Sequence, residues 1–434
     1  MRRLPGPEAT WILGFAFLPL AGECAALAVG GQSGRILWVD LWIAAGLFLL
    51  LSRRGYALDI PRAPFLIALA PLVAWAALTL PFALDPLTSL AEMKEWIVAA
   101  AAGALALRWA RDGHRARSLL GAVALAGAVT AVLMAASAVR HPLGPAAAVL
   151  LKQVDLPIGR SNYLAGLLAL SLPIATGLFA ASKGAGFRLR WFAVTAAIAL
   201  GLALSGSKGA VLAATLGCAV AFFAPGAGRL PRAPRVLLIS AAALFVLAFA
   251  AGPLRVALDY RLQASALEYS GGEREALYRK ALEVAAQRPV FGAGLNGFSV
   301  AAHGIHGVDT VPHNFELGFL AELGVPGLFL ALFWAWSVLA PARGAAAAAS
   351  HPRSRALARG AWGALLGAFV HNQVESTLYG EHFKILFILV GAAALQLARP
   401  STACLPLVSL IHSSGRQTAT GRAPLAPGNG STAE

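Results

Sequence analysis

Long, uninterrupted apolar runs recur along most of this chain, separated by short segments rich in arginine, glycine and proline. Crossing a hydrocarbon core of about 30 Å takes about 20 helical residues at about 1.5 Å each. Windows of that kind fall near 11–30, 36–51, 63–81, 92–108, 118–139, 162–181, 190–204, 209–224, 235–251, 316–340, 357–373 and 383–398. Backbone polar groups in lipid must be satisfied within their own segment, so continuous runs mean helices, and the lack of alternation argues against a barrel. The expected fold is all-α: a polytopic transmembrane helical bundle of about 12 spans, with a long helical periplasmic loop between spans 9 and 10. The first window is too long for a cleaved signal peptide and is expected to remain as a helix.

Composition agrees, since 58% hydrophobic and 13% charged residues with a mean hydropathy of +0.69 exceed what a soluble chain carries. The net charge of +15 is unevenly spread. Alternate connections hold Arg53, Arg54 and Arg62; Arg108, Arg111, Arg115 and Arg117; Lys183, Arg188 and Arg190; Arg229, Arg232 and Arg235; and Arg343, Arg353, Arg355 and Arg359. The other connections hold Asp85, Glu92, Glu95, Asp155, Asp259, Glu268, Glu273 and Asp309. Cytoplasmic loops retain positive charge, so both termini are expected in the cytoplasm. The basic excess then reads as topology and attraction to anionic membrane lipids, with no role for nucleic acid. The organisation expected is spans 1–9 over 1–251, a periplasmic loop over 252–315, spans 10–12 over 316–398, and a mostly disordered cytoplasmic tail over 399–434. Cys24, Cys218 and Cys404 supply neither a disulfide framework nor a CxxC pair.

The polar stretch from Gly252 to Pro312 carries the candidate chemistry. Behind Gly271 and Gly272, the residues Leu277, Ala281, Leu282 and Ala285 recur at helical spacing, which predicts an amphipathic helix on the outer surface. Arg274 lies in its first turn, with Arg279 and Lys280 further on; by local pattern alone Arg274 is a surface arginine. His313 follows Pro312 and opens an apolar run, where an imidazole titrating near neutrality suits a general base or merely caps a helix. Asn314 is equally able to cap. Arg160 before the sixth span and Lys208 in SGSKGA are costly near hydrocarbon unless an anion meets them, the alternatives being an interfacial anchor and a snorkelling lysine.

Other patterns point elsewhere. Gly292, Gly294 and Gly297 spell GxGxxG without a surrounding strand-turn-helix unit, so they read as tight-turn glycines and not a dinucleotide site. His303, His306, Asp309 and His313 have no firm helix to bring them together, so neither a metal nor another cofactor is expected. His371, Glu375, Glu381 and His382 flank the last outer loop, where they form either a second polar cluster lining a cavity or a solvated loop, the latter being the favoured reading. Within the spans, Asp40 and Glu23 are the few charges expected.

Taken in order, Arg274-x-x-x-Tyr278, Pro289-x-x-Gly292-x-Gly294, Pro312-His313-Asn314 and Ala321-Glu322-Leu323-Gly324-x-x-Gly327 resemble the O-antigen ligase and polymerase superfamily. SNYLAGLLALSLP from Ser161, SGSKGA from Ser205 and ALDPLTSL from Ala83 are similar to its upstream segments. Lys208 stands where the family usually has arginine, and Tyr278 where tryptophan is common. The long C-terminal region of related protein-glycosylating oligosaccharyltransferases is not seen. The resemblance implies glycan transfer from an undecaprenyl diphosphate carrier on the periplasmic face of a bacterial inner membrane, to lipid A-core in a ligase or to a growing repeat-unit chain in a polymerase. It casts His313 as base and Arg274 as the cation on the leaving diphosphate. Lys208, Arg160, Asn162, Arg279, Asn314 and Tyr278 complete the expected substrate-binding set. The ligase branch is favoured. A transporter or flippase for lipid-linked saccharide is the alternative of a different class.

Overall fold

A computed structural model describes residues 7–20, 23–29, 32–52, 63–141, 155–156, 159–223, 264–302 and 311–397. The expected span 235–251, the segment 303–310 with His303, His306 and Asp309, and the tail over 399–434 lie outside the described residues.

The described residues are helical almost throughout. Its helices are α1 (Pro7–Gly14), α2 (Trp38–Leu51), α3 (Pro64–Thr79), α4 (Pro86–Trp109), α5 (Gly113–Val139), α6 (Ser161–Ala181), α7 (Ala185–Ser205), α8 (Lys208–Phe223), α9 (Ala264–Gln287), α10 (Phe298–Ala301), α11 (Phe315–Ala348), α12 (Pro352–His371) and α13 (Glu381–Leu397). Among the described residues, five segments are long and apolar enough to cross a membrane: Pro64–Phe82, Gly113–Val139, Ser161–Ala181, Ala185–Ser205 and Phe315–Ala348. Segments of α2 and α8 are apolar but shorter. Twelve crossings are therefore not reached among these residues.

The window at 11–30 is not one helix. The chain leaves α1 for a 3-10 segment, Phe15–Leu20, and then pairs Glu23–Val29 (β1) antiparallel with Gln32–Leu37 (β2). The indoles of Trp11 and Trp42 each donate to the other's backbone carbonyl at 3.2 Å, joining α1 to α2.

Nearly every residue of α6 and α13 is buried, so these helices form the centre of the bundle. Small residues let their neighbours approach. On α12, a Cβ at Gly360 would lie 2.7 Å from the Pro173 carbonyl of α6, and one at Gly367 would lie 2.6 Å from the Ala213 carbonyl of α8.

The polar stretch is packed against this body. The buried face of α9, Leu277, Ala281 and Val284, meets Ala293, Phe298 and Ala321. Leu282, expected on that face, is half exposed, and the helix begins at Ala264 and continues through Gly271 and Gly272. Gly292 and Gly294 have φ of +65° and +90°, as tight-turn glycines should. Their turn inserts into a break in α11 at Gly324, where φ is +67°. Amides of Ala293 and Gly294 donate to the carbonyls of Ala321 and Glu322 at 2.9 and 2.8 Å, and Val325 donates to Pro289 at 2.8 Å. Backbone groups released by the break are thus satisfied by the loop.

Candidate functional site

The loop between α12 and α13 brings the polar residues together. Its fold is set by Asn372, whose amide donates to the carbonyl of Ala368 at 2.8 Å and to Thr377 Oγ1 at 2.9 Å, while its Oδ1 accepts from the Leu378 N–H at 2.9 Å. The start of α11 is fastened to the same loop: Phe315 N–H donates to the Asn372 carbonyl at 2.8 Å and Asn314 Nδ2 to the Gln373 carbonyl at 3.1 Å. Asn314 Oδ1 also caps α11 by accepting from Leu317 N–H at 2.9 Å.

Glu375 is the hub. One carboxylate oxygen accepts from Arg274 Nη2 of α9 at 2.9 Å and from Asn162 Nδ2 in the first turn of α6 at 2.8 Å. The other lies 3.0 Å from His313 Nδ1. The Glu375 side chain is only 7% exposed, whereas those of Arg274 and His313 are each 33% exposed, so the carboxylate lies beneath a cation and an imidazole that are partly accessible. Burial works to raise the Glu375 pKa, but the hydrogen bond and charge of His313, then Arg274 and His371, outweigh it and hold the carboxyl below its ordinary range. An ionised Glu375 can only accept, so His313 Nδ1 donates the hydrogen in this contact.

His313 sits at φ +53°, a left-handed conformation that side-chain-bearing residues rarely take. Such backbone costs about 1–3 kcal/mol and is held by its surroundings, here Pro312 before it and the capped start of α11 after it. Beneath the cluster, His371 is fully buried, and neither ring nitrogen meets a hydrogen-bond partner among the described residues. Gly166 of α6 and Gly209 of α8 both lie against His371.

The expected site residues divide accordingly. Arg274, His313 and Asn162 converge on Glu375. Lys208 is the exposed first residue of α8, beside Gly209, whose added Cβ would stand 2.6 Å from Val374 in the same loop. Tyr278 lies one turn after Arg274 on α9, and burial raises its pKa. Arg279 turns away: it pairs with Glu275 at 2.8 Å on the exposed side of α9. The backbone of Arg160 pairs with Asp155 in a two-residue antiparallel ladder just before Asn162. Among the described residues no three carboxylate, imidazole or thiol groups are placed to hold a metal ion.

Glu375, expected in a solvated loop, is instead the buried hub of the cluster. Its neighbours in sequence, among them His371, Asn372, Gln373, Ser376 and Thr377, are themselves polar, so nothing along the segment marks it out. A second reading also changes. Asp40 and Glu23 are not the few charges in the spans, because Lys384 of α13 is fully buried with Glu92 and Glu95 of α4, the latter at 2.6 Å. Lys94 joins Asp40 and Glu381, each at 2.9 Å. Carboxylates and lysines on different helices neutralise one another there, a pairing that hydropathy along one segment does not reveal.

Residues 191–332 match the family model described as O-antigen ligase. The match bears out the resemblance over the stretch that carries Lys208, Arg274, Tyr278, Arg279, His313 and Asn314, and points to membrane glycosyltransferases of the ligase or polymerase type. Asn162 and Glu375 lie outside it. No curated protein matches the chain.

Proposed function

We propose that this protein is a membrane glycosyltransferase that transfers O-antigen glycan from undecaprenyl diphosphate to lipid A-core, on the periplasmic face of a bacterial inner membrane. The observation that carries the reading is the Glu375 hub, which holds a partly exposed imidazole and a partly exposed guanidinium on one buried carboxylate in a largely apolar bundle. Glu375 fixes His313 with Nε2 free to take the proton of an acceptor hydroxyl. The hydroxyl oxygen attacks the anomeric carbon, the bond from that carbon to the diphosphate oxygen breaks, and its electron pair leaves with the carrier. Arg274 engages Glu375 through one nitrogen, which leaves other N–H donors of its fork for the diphosphate. Lys208 at the start of α8, the helix N-terminus itself and Arg160 add positive potential where that charge develops. The step needs no metal in this scheme, and direct displacement inverts the anomeric centre; a product that retains the donor configuration would sink it.

The lysines of the bundle speak against a lipid-linked-saccharide transporter, because the buried Lys384 and the partly exposed Lys94 are already paired with carboxylates. The deciding experiment supplies purified protein with undecaprenyl-diphosphate-linked glycan and lipid A-core, without added divalent metal, and compares wild type with His313→Ala. Glycan on lipid A-core from wild type alone is the expected result. Lengthening of the carrier-linked chain assigns a polymerase, and no transfer by folded wild type with matched substrates overturns the enzyme reading.

A further inference from the structure

At another part of the bundle, three of its basic connections meet around a cavity of about 460 Å³. The start of α5 contributes His114 and Arg117, the turn between α6 and α7 contributes Lys183, and the first turn of α12 contributes Arg353. Phe187 and Trp191 of α7 form an apolar wall. No carboxylate is among the lining residues, and the nearby Asp112 is engaged with Arg115 at 3.5 Å. Arg117 and Arg353 are close enough to act on each other as like charges. Two guanidinium groups facing one cavity repel unless an anion lies between them.

The wall identifies the source of that anion. Phe187 is 58% exposed on α7, a helix of membrane-crossing length. An exposed aromatic beside paired arginines at a helix end matches the boundary where a lipid phosphate meets its acyl chains. A free phosphate would use the arginines alone, whereas Phe187, whose ring carries the Arg190 guanidinium at 5.6 Å and is still 58% exposed, leaves apolar surface for an acyl chain. We propose that the cavity binds the head group of an anionic phospholipid, with its phosphate between Arg117 and Arg353 and an acyl chain along Phe187 and Trp191.

Native mass spectrometry of the full-length protein, released from detergent containing equal amounts of phosphatidylglycerol and phosphatidylcholine, tests this directly. Wild type is expected to retain phosphatidylglycerol about tenfold or more over phosphatidylcholine, with a preference that falls as salt rises. The preference should vanish in Arg117→Gln/Arg353→Gln and persist in Arg353→Lys, while phosphatidylcholine adducts stay unchanged. Equal retention of the two lipids by wild type overturns the proposal, as does an unaltered preference in the double variant. A parallel titration with inorganic phosphate separates the sources: binding of phosphate without preference between the lipids makes this a free-anion site and overturns the lipid assignment. If the double variant loses helix content by circular dichroism, the wild-type competition decides alone, and a preference insensitive to salt counts against the paired arginines.

Discussion

Glu375 sets the chemistry of the site through what its neighbours do to its charge. Replacing it by glutamine keeps the shape but lets the amide offer either a donor or an acceptor to His313, so the imidazole loses its fixed tautomer. Glycan transfer by Glu375→Gln is expected to fall by about 10²-fold or more in kcat, the scale of a general-base contribution, with a smaller change in KM. An unchanged kcat in the folded variant would remove Glu375 from the mechanism. Since the folded pKa of Glu375 is depressed, its stabilising contribution is present above the unfolded value of about 4.3 and is lost as pH falls through the lower folded value. The melting temperature of wild type should therefore drop more steeply than that of Glu375→Gln in this acid window; parallel curves would mean that the carboxylate is not held by its neighbours. His313 offers a separate test, because its φ of +53° suits glycine. Both His313→Gly and His313→Ala are expected to be inactive, but the alanine variant should be less stable by about 1 kcal/mol, since only alanine strains in the left-handed region. His313 was legible in the sequence because a polar residue opening an apolar run stands out, whereas Arg274 and Asn162 entered the expected set only through the family resemblance. Glu375 was not legible, because its importance arises from three distant segments, α6, α9 and the start of α11, which meet only in the folded chain.

Among the elements, the match between sequence and structure is closest where one segment decides its own conformation. The apolar windows at 63–81, 118–139 and 162–181 became α3, α5 and α6, and the tight turns at Gly292 and Gly294 were expected from glycine alone. The window at 11–30 failed where the chain leaves α1 after Gly14 for a 3-10 segment and a hairpin, and the buried face of α9 was displaced because Phe298 and Ala321, remote in sequence, choose which side of the helix is covered. Helix contacts are similarly beyond the reach of hydropathy. Gly367 is packed under the Ala213 carbonyl, whereas nothing lies within 4 Å of a Cβ at Gly344 in α11. Gly367→Val is expected to push α12 away from α8 and to lower the yield of folded protein. Gly344→Ala should be neutral or stabilising by up to about 1 kcal/mol, given the helix preference of alanine over glycine. Thermal unfolding in detergent distinguishes the two, and equal losses would place the cost in something other than the contact with α8.

For the molecule as a whole, burying charge is the largest electrostatic demand, and α13 meets it at the centre. Lys384 is fully enclosed, donates to Glu92 and to Glu95, and also reaches the Tyr379 carbonyl at 3.3 Å, so a single cation serves two carboxylates and the loop that continues from Glu375. Replacing a buried pair with apolar groups is often harmless, but removing one partner leaves charge without compensation. Lys384→Met should thus destabilise the protein by about 3–5 kcal/mol. The triple change Lys384→Met, Glu92→Leu and Glu95→Gln, which removes the stranded charges together, should recover much of that loss. Because Tyr379 belongs to the same short connection as Glu375, the single variant should lose transfer activity as well as melting temperature, and the triple variant should regain both. If the triple variant melts no higher than Lys384→Met, the contacts of the lysine stem with α4 hold the bundle together more than its charge does.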